Sequence, residues 1–244
     1  MYNLILRFIR HPLDYSHILK ITSLTLLEKI DEGNNVYSFI FTAPKLPNWQ
    51  AGQHAIFTFP NHKIEGKSWR AFSIASAPHE SVIRISTIIS DTPSDFKMKL
   101  QQLQIGENIR MFGPFGEMYI RPKIKKVVAI AGGIGITPFR SIICDLAKKQ
   151  SNLSFTLIYS ARERNYAFYQ NLEQWCVDNP NIKIIYTETS EEVNQELEKQ
   201  ILQHKNNAHY LLSGSPGMIE ALCNKIRSLH VKASRILNDP FKGY

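Results

Sequence analysis

The stretch Val127-Val128-Ala129-Ile130-Ala131-Gly132-Gly133-Ile134-Gly135-Ile136-Thr137-Pro138 decides the architecture of the second half of this chain. Its first five residues are apolar without interruption, which reads as a strand buried on both faces, the kind found in parallel sheets. The glycines that follow allow a tight strand-to-helix turn and close backbone approach. Pro138 then suits the first turn of a helix, whose free amides and positive dipole end face an anion such as phosphate. The spacing is not Gly-x-Gly-x-x-Gly, so this is not the usual dinucleotide fingerprint. Taken alone it is an ordinary glycine turn. Its place, at the carboxyl end of a first parallel strand, is where open α/β sheets bind ligands.

Downstream, the pattern predicts a helix over Pro138–Lys149, a strand over Phe155–Tyr159, a helix around Phe168–Val177 and a strand over Ile182–Thr187. A polar helix near Glu191–Gln203, a strand Tyr210–Ser213, a helix Pro216–Leu229 and a closing strand Ala233–Leu237 follow. Strands alternating with helices specify an α/β unit with a parallel sheet covered on both faces. Upstream the texture differs. Short β-rich segments, Ile18–Leu27, Val36–Thr42, His54–Phe59, Trp69–Ser76, Val82–Ile89 and Asn108–Phe112, are separated by turn clusters such as Asp31–Asn35, Asn61-His62 and Gly113-Pro114. That rhythm predicts an antiparallel β-barrel or sandwich. One helix interrupts it, with Thr92-Pro93-Ser94-Asp95 as its start and Phe96, Leu100 and Leu103 at helical spacing. The expected organisation is an N-terminal leader over 1–17, a β-barrel domain over 18–122 and an α/β domain over 123–244.

With 244 residues, 43 % hydrophobic and 11 % aromatic, the chain suffices for two cores. Lys and Arg outnumber Asp and Glu by 29 to 21, a net charge of +8 that favours an electron-carrier protein, nucleic acid or an anionic membrane as partner. The basic residues are scattered and no nucleic-acid motif is present, so nucleic acid is not expected. Cys144, Cys176 and Cys223 are an odd number and far apart. This argues against a disulfide framework, a zinc site or an iron–sulfur cluster, and for buried thiols in a reducing cytoplasm. No metal is expected. No run reaches about 18 apolar residues, the length of a membrane span. The start, Met1–Arg10, is basic and partly amphipathic, and Arg7 and Arg10 interrupt any signal-peptide apolar region. A cytoplasmic protein is expected, with peripheral membrane contact left open.

Two further segments carry polar groups in places that chemistry can use. In Trp69-Arg70-Ala71-Phe72-Ser73-Ile74-Ala75-Ser76, strand alternation sends Arg70 and Phe72 to one face and Ser73 to the other. The set offers a cation to a phosphate, an aromatic face to a flat ring and a hydroxyl to a ring nitrogen. Leu211-Leu212-Ser213-Gly214-Ser215-Pro216-Gly217-Met218 is a second strand-to-helix turn, at the end of a later strand of the α/β sheet. By itself it reads equally as a helix cap.

The combination is specific. Arg-x-Phe-Ser, then Gly113–Gly116, then Gly-Gly-Ile-Gly-Ile-Thr-Pro, then Ser-Gly-Ser-Pro-Gly-Met, in this order over residues 18–244, resembles the ferredoxin–NADP reductase superfamily. The resemblance implies FAD on the barrel and NADPH or NADH on the α/β domain, with hydride passing to flavin N5 and electrons onward to a separate acceptor. That acceptor is an acidic carrier protein such as ferredoxin or flavodoxin, or a small molecule. A free-flavin or ferric reductase is the alternative, and a redox-sensing flavin module without turnover is a further one. A monomer is expected. Carried onto matching positions, Arg70 contacts the flavin phosphate, Phe72 packs on the isoalloxazine and Ser73 bonds near N5. Ala71 lies between them, and His54 sits near the flavin. Ser86, Thr87, Ile88 and Ser94 match the FAD pyrophosphate region. Gly132, Gly133, Gly135, Thr137, Gly214 and Pro216 match the nicotinamide-nucleotide turns, and Arg162 the site of a 2′-phosphate. Ser213 occupies a place often held by Cys beside the nicotinamide. The ending Asn238–Tyr244 resembles an acidic-x-Phe tail, with Asp239 as the acid and Tyr244 or Phe241 as the aromatic residue closing over the flavin. Ser213, Ser73 and Asp239 are the expected catalytic set. Asp239 for the commoner Glu and Ser213 for Cys are the departures.

Overall fold

The fold is described from a computed structural model, for residues 12–60 and 63–240. It comprises two compact units, one ending at Tyr119 and the other beginning at Ile120.

The first unit is a curled antiparallel sheet. Strands β1 (Ile21–Asp31), β2 (Val36–Thr42), β3 (His54–Thr58), β4 (Trp69–Ser73), β5 (Ile83–Ile88) and β6 (Asn108–Phe115) are ordered β4-β3-β6-β1-β2-β5. Period-two alternation sends Leu24, Leu26, Phe39, Phe41, Ala55, Phe57, Phe72, Ile83 and Ile85 into one core, with Phe96 and Leu100 of helix α2 (Asp95–Gln102) as its lid. The sheet bends toward closure where Ala75 N–H, just past β4, donates to Arg84 O of β5 at 2.8 Å. This is why β4 ends at Ser73 instead of Ser76: Ile74 still bonds Gln53 O, and then the chain leaves β3 for β5.

Two other expectations shift. β6 runs through Gly113-Pro114 to Phe115, because Gly113 N–H is taken by Lys20 O and Phe115 pairs across to His54. β1 begins at Ile21, since Ile18 and Lys20 donate back to Tyr15 and His17 in a turn. That turn follows a short helix α1 (Pro12–Tyr15) docked on the end of β6. The buried Tyr15 hydroxyl donates to Glu117, Tyr119 Oη donates to Asp14 Oδ1 at 2.6 Å, and Gly116 N–H donates to Asp14 O. Residues 12–15 of the expected leader are therefore held by side-chain and backbone bonds to the first unit. Residues 1–11 lie outside the described residues, as do the turn Asn61-His62 and the tail from Phe241 to Tyr244.

The second unit is a five-stranded parallel sheet, β11-β10-β7-β8-β9, built from β7 (Lys126–Gly132), β8 (Ser154–Ser160), β9 (Ile182–Thr187), β10 (His209–Gly214) and β11 (Ile236–Pro240). Helices α3 (Thr137–Lys148), α4 (Tyr169–Asp178), α5 (Ser190–His204) and α6 (Pro216–Ser228) connect them. Val128, Ile130, Tyr210 and Leu212 face Val193, Leu197 and Ile201 of α5 and Ile219, Leu222 and Ile226 of α6. The closing strand starts at Ile236, three residues late. Lys232 N–H is held by Asn206 Oδ1 and Ala233–Arg235 form a 3₁₀ turn before pairing begins.

Candidate functional site

In the first unit the expected residues gather around β4. Arg70 and Phe72 share a face and are both buried; Ala71 is exposed between them. The Arg70 guanidinium donates to the carbonyls of Lys67 (2.6 Å) and Trp69 (3.0 Å) and lies over the Phe96 ring, while its Nε has no hydrogen-bond partner. A buried cation bonded only to carbonyls is incompletely compensated. Burial lowers its pKa, and burial followed by Arg70 itself lowers that of Lys97, so two cations stand against each other here. Phe72 packs against Phe57 and Phe96, with ring centroids 5.9 and 6.1 Å away. Ser73 points to the opposite face, and its Oγ is buried with no partner. Across the ladder from Ser73 stands His54, whose ring meets Phe115 edge-on at 4.5 Å. A Cβ on Gly116 would fall 2.6 Å from that ring, so the glycine is needed to admit it.

The segment expected to meet a pyrophosphate divides. The Ser86 hydroxyl is engaged inside the sheet, 2.7 Å from Ser38 Oγ, and Ser38 in turn donates to Glu32. Thr87 is buried beside it, and Ile88 is partly exposed at the end of β5. Ser94 stands at the N-cap of α2 with its hydroxyl exposed and not bonded to the helix. Sequence reasoning missed Lys97. Its Nζ reaches Ile88 O at 2.8 Å, tying the first turn of α2 to β5. The available signal was a lysine in a helix's first turn, where the macrodipole disfavours a cation unless an anion is near.

In the second unit the two glycine turns lie side by side on neighbouring strands, Ser213 in register with Ala131. A Cβ on Gly135 would lie 2.3 Å from Ser213 O and 2.9 Å from Gly214 N, both backbone. A Cβ on Gly132 would strike Met218 Sδ, which also lies 3.2 Å from the Cβ position of Gly214. The methionine thus wedges the turns together, a role not legible in its spacing. Gly133 adopts φ +51° with nothing within 4 Å, leaving the turn's outer side bare of side chains. The buried Thr137 hydroxyl donates to Ile134 O, shaping the 3₁₀ turn that leads into α3. Ser215 Oγ caps α6 by accepting from Met218 N–H, with Pro216 at the first helical position. Ser213 Oγ is buried and has no partner. Asp239 is in register with Ser213 on β11, so these two expected catalytic residues are lateral neighbours on one sheet edge.

Past β8, Arg162 is exposed in a 3₁₀ turn, and Arg164 two residues on is ion-paired with Glu188 at 2.6 Å. Glu163 and Arg164 both have positive φ. Beside them Tyr159, Tyr166, Tyr169 and Tyr186 form a chain of ring contacts between 4.6 and 6.3 Å. Burial raises the Tyr159 and Tyr186 pKa values, so both phenols stay neutral. Among the described residues no group of His, Cys, Asp and Glu could hold a metal ion, and no helix is long and apolar enough to cross a membrane.

This arrangement, an antiparallel curled sheet followed by a parallel sheet with two converged glycine turns, is a fold shared with solved ferredoxin–NADP⁺ reductases. A ferredoxin–NADP⁺ reductase from Plasmodium falciparum superposes on 91 % of this chain and 96 % of its own, with a TM-score of 0.77 at 18 % identity. Residues 129–224, which contain both turns, match the oxidoreductase NAD-binding domain family. The F component of the Na⁺-translocating NADH-quinone reductase of Haemophilus ducreyi is 27 % identical over 206 residues, 74 % of this chain and 50 % of its own length. Reductase component 1 of a Comamonas terephthalate 1,2-dioxygenase is 30 % identical over 144 residues, 58 % of this chain and 41 % of that one. The chain spans about half the length of these curated relatives.

Proposed function

We propose that the protein is an FAD-dependent oxidoreductase that takes reducing equivalents from NADPH or NADH and passes them to a separate acceptor. The observation that carries this reading is that Arg70 Nε, Ser73 Oγ and Ser213 Oγ are buried polar atoms without partners, on the three segments where ligands are expected. Buried polar groups are normally satisfied, so such atoms mark places where a ligand completes the site. Bound flavin would supply hydride acceptance followed by release of electrons singly. Arg70 and Lys97 would hold its phosphates, with the free amides of α2 behind Ser94. Ser73 would donate to the ring edge, and His54 would border it. Gly132–Thr137 and Ser213–Pro216 would cradle the nicotinamide nucleotide, with Ser213 and Asp239 next to the reacting end. The net charge of +8 suits an acidic carrier as acceptor.

The test is flavin content and its reduction. The protein is expected to remain yellow through gel filtration and to bleach on anaerobic addition of NADPH. A colourless protein that oxidises NADPH only with added flavin is a free-flavin reductase. A yellow protein that neither NADPH nor NADH bleaches is a binding module, and either result overturns the proposal.

Ser73→Ala separates tuning from holding. A single neutral hydrogen bond contributes about 0.5–1.5 kcal/mol, so flavin affinity should fall no more than roughly tenfold. The rate of flavin reduction should fall further than that, and an unchanged stopped-flow rate would remove Ser73 from the flavin edge.

The unpaired, exposed Arg162 supports NADPH as the better donor, since a guanidinium bonds a 2′-phosphate bidentately and gains nothing from a hydroxyl. Arg162→Ala should raise KM for NADPH about tenfold or more and leave that for NADH unchanged. Equal effects on both nucleotides would exclude the 2′-phosphate assignment.

A further inference from the structure

In the second unit, charge is segregated along the strand axis. Every connecting helix returns to the edge where the strands begin, and there stand Lys123, Lys125 and Lys126 before or at the start of β7, Lys205 before β10, and Lys232 and Arg235 before β11. The opposite edge, where the strands end, holds Glu163, Glu188, Glu191, Glu192, Glu220 and Asp239, with Arg162 and Arg164 beside them and Arg164 paired to Glu188. Helix dipoles account for a cation in a helix's last turn. They do not account for Lys123, Lys125, Lys126, Lys232 and Arg235, which precede strands.

These cations are also poorly neutralised. Lys126 Nζ faces His204 Nδ1 at 3.4 Å, and Arg235 Nη1 faces His209 Nε2 at 3.2 Å, an imidazole in each case where a carboxylate would be expected. Burial and then the neighbouring cation lower the pKa of each histidine, as fits two clusters of one sign. Of the carboxylates on this edge, Asp145 pairs with Lys149 at 2.7 Å, and Asp178 accepts from the neutral amide of Gln174. On the same edge two aliphatic side chains project into solvent, Val177 in the last turn of α4 and Leu202 in the last turn of α5, 79 % and 63 % exposed.

We infer that this basic edge of the second unit docks on an anionic lipid surface. Exposed lysines gain from a negatively charged leaflet within a Debye length, and isolated aliphatic side chains among them can enter the headgroup layer. An acidic protein would also meet the charge. What favours the lipid is that Val177 and Leu202 stand singly among the cations, on the ends of different helices, where each can enter a headgroup layer without a matching apolar partner surface.

The experiment is co-sedimentation of the full chain with phosphatidylcholine vesicles, with and without one-third phosphatidylserine. The bound fraction should be several-fold larger on the phosphatidylserine vesicles and fall as salt is raised. Combined Lys123→Glu, Lys125→Glu and Lys232→Glu, all at exposed positions, should reduce it to the level seen on phosphatidylcholine alone. The corresponding glutamine variants should give an intermediate loss, a readout that survives if the reversed chain folds poorly. Lys45→Glu, in the first unit, should have no effect, and Leu202→Ser should at least halve binding without changing its salt dependence. No enrichment on phosphatidylserine, or undiminished binding by the glutamine variants, overturns the inference. Retention on immobilised polyglutamate without vesicle binding overturns it in favour of an acidic protein.

Discussion

Arg70→Ala is expected to yield a folded protein that has lost its flavin. The side chain is buried, its guanidinium bonds only main-chain carbonyls, and Lys97 repels it. An anion between the two cations is the group that relieves this arrangement. A charge-assisted bond to phosphate contributes about 1.5–3 kcal/mol, so the dissociation constant for FAD should rise roughly ten- to a hundredfold, enough for flavin to wash out on a column. Truncation also removes two local hydrogen bonds and the contact with Phe96. Arg70→Lys therefore serves as the companion: it keeps the charge, loses the planar fork and should retain flavin partially. Lys97→Ala, exposed to the same argument from the other side, should weaken flavin less. Wild-type flavin content in Arg70→Ala, measured by absorbance per chain, would take the phosphate role away from this residue.

The second large effect is expected at Gly135. An alanine there would push a methyl group to 2.3 Å from Ser213 O and 2.7 Å from Ser213 C, and no side-chain rotation relieves a clash with main chain. Forced overpacking costs about 1–3 kcal/mol, or roughly 4–12 °C in the melting temperature of a unit of this size. The strain falls on the turn bearing Ser213, so affinity for the nicotinamide nucleotide should drop with stability. Gly133→Ala is the contrast. Nothing lies within 4 Å of that Cβ, and its cost is the left-handed conformation alone, about 1–2 kcal/mol. Calorimetry and nucleotide titration of the pair would decide the matter. Gly135→Ala with unchanged melting and nucleotide binding would show that the two turns do not press on each other.

These two residues mark how far the chain could be read before its fold was known. The run Val127–Ala131 is legible as a fully buried strand because periodicity depends only on neighbours in sequence, and the β-rich rhythm upstream is legible for the same reason. Arg70 and Ser73 were legible as a pair on opposite faces of a strand. That their polar atoms lack partners was not, since satisfaction depends on what the rest of the chain brings near. The contact of Gly135 with Ser213 joins residues far apart in sequence and is a property of adjacent strands, as is the wedge made by Met218. Pro114 was read as a break because proline usually ends a ladder; here Lys20 takes the preceding amide and the strand continues. Lys97 left a faint trace, a cation placed against a helix dipole.

The position of β7 within its sheet has a consequence for how the chain is made. Val127 pairs with Phe155 on one side, a partner translated soon after it, and with His209 on the other. His209 emerges from the ribosome only after β9 and two further helices. Throughout that interval one edge of a strand apolar from Val127 to Ala131 stands open, with free amides and carbonyls that any other extended chain can complete. Nascent chains halted between α5 and β10 therefore carry an adhesive strand at the edge of an unfinished sheet, whereas chains halted before Lys126 have not yet made it.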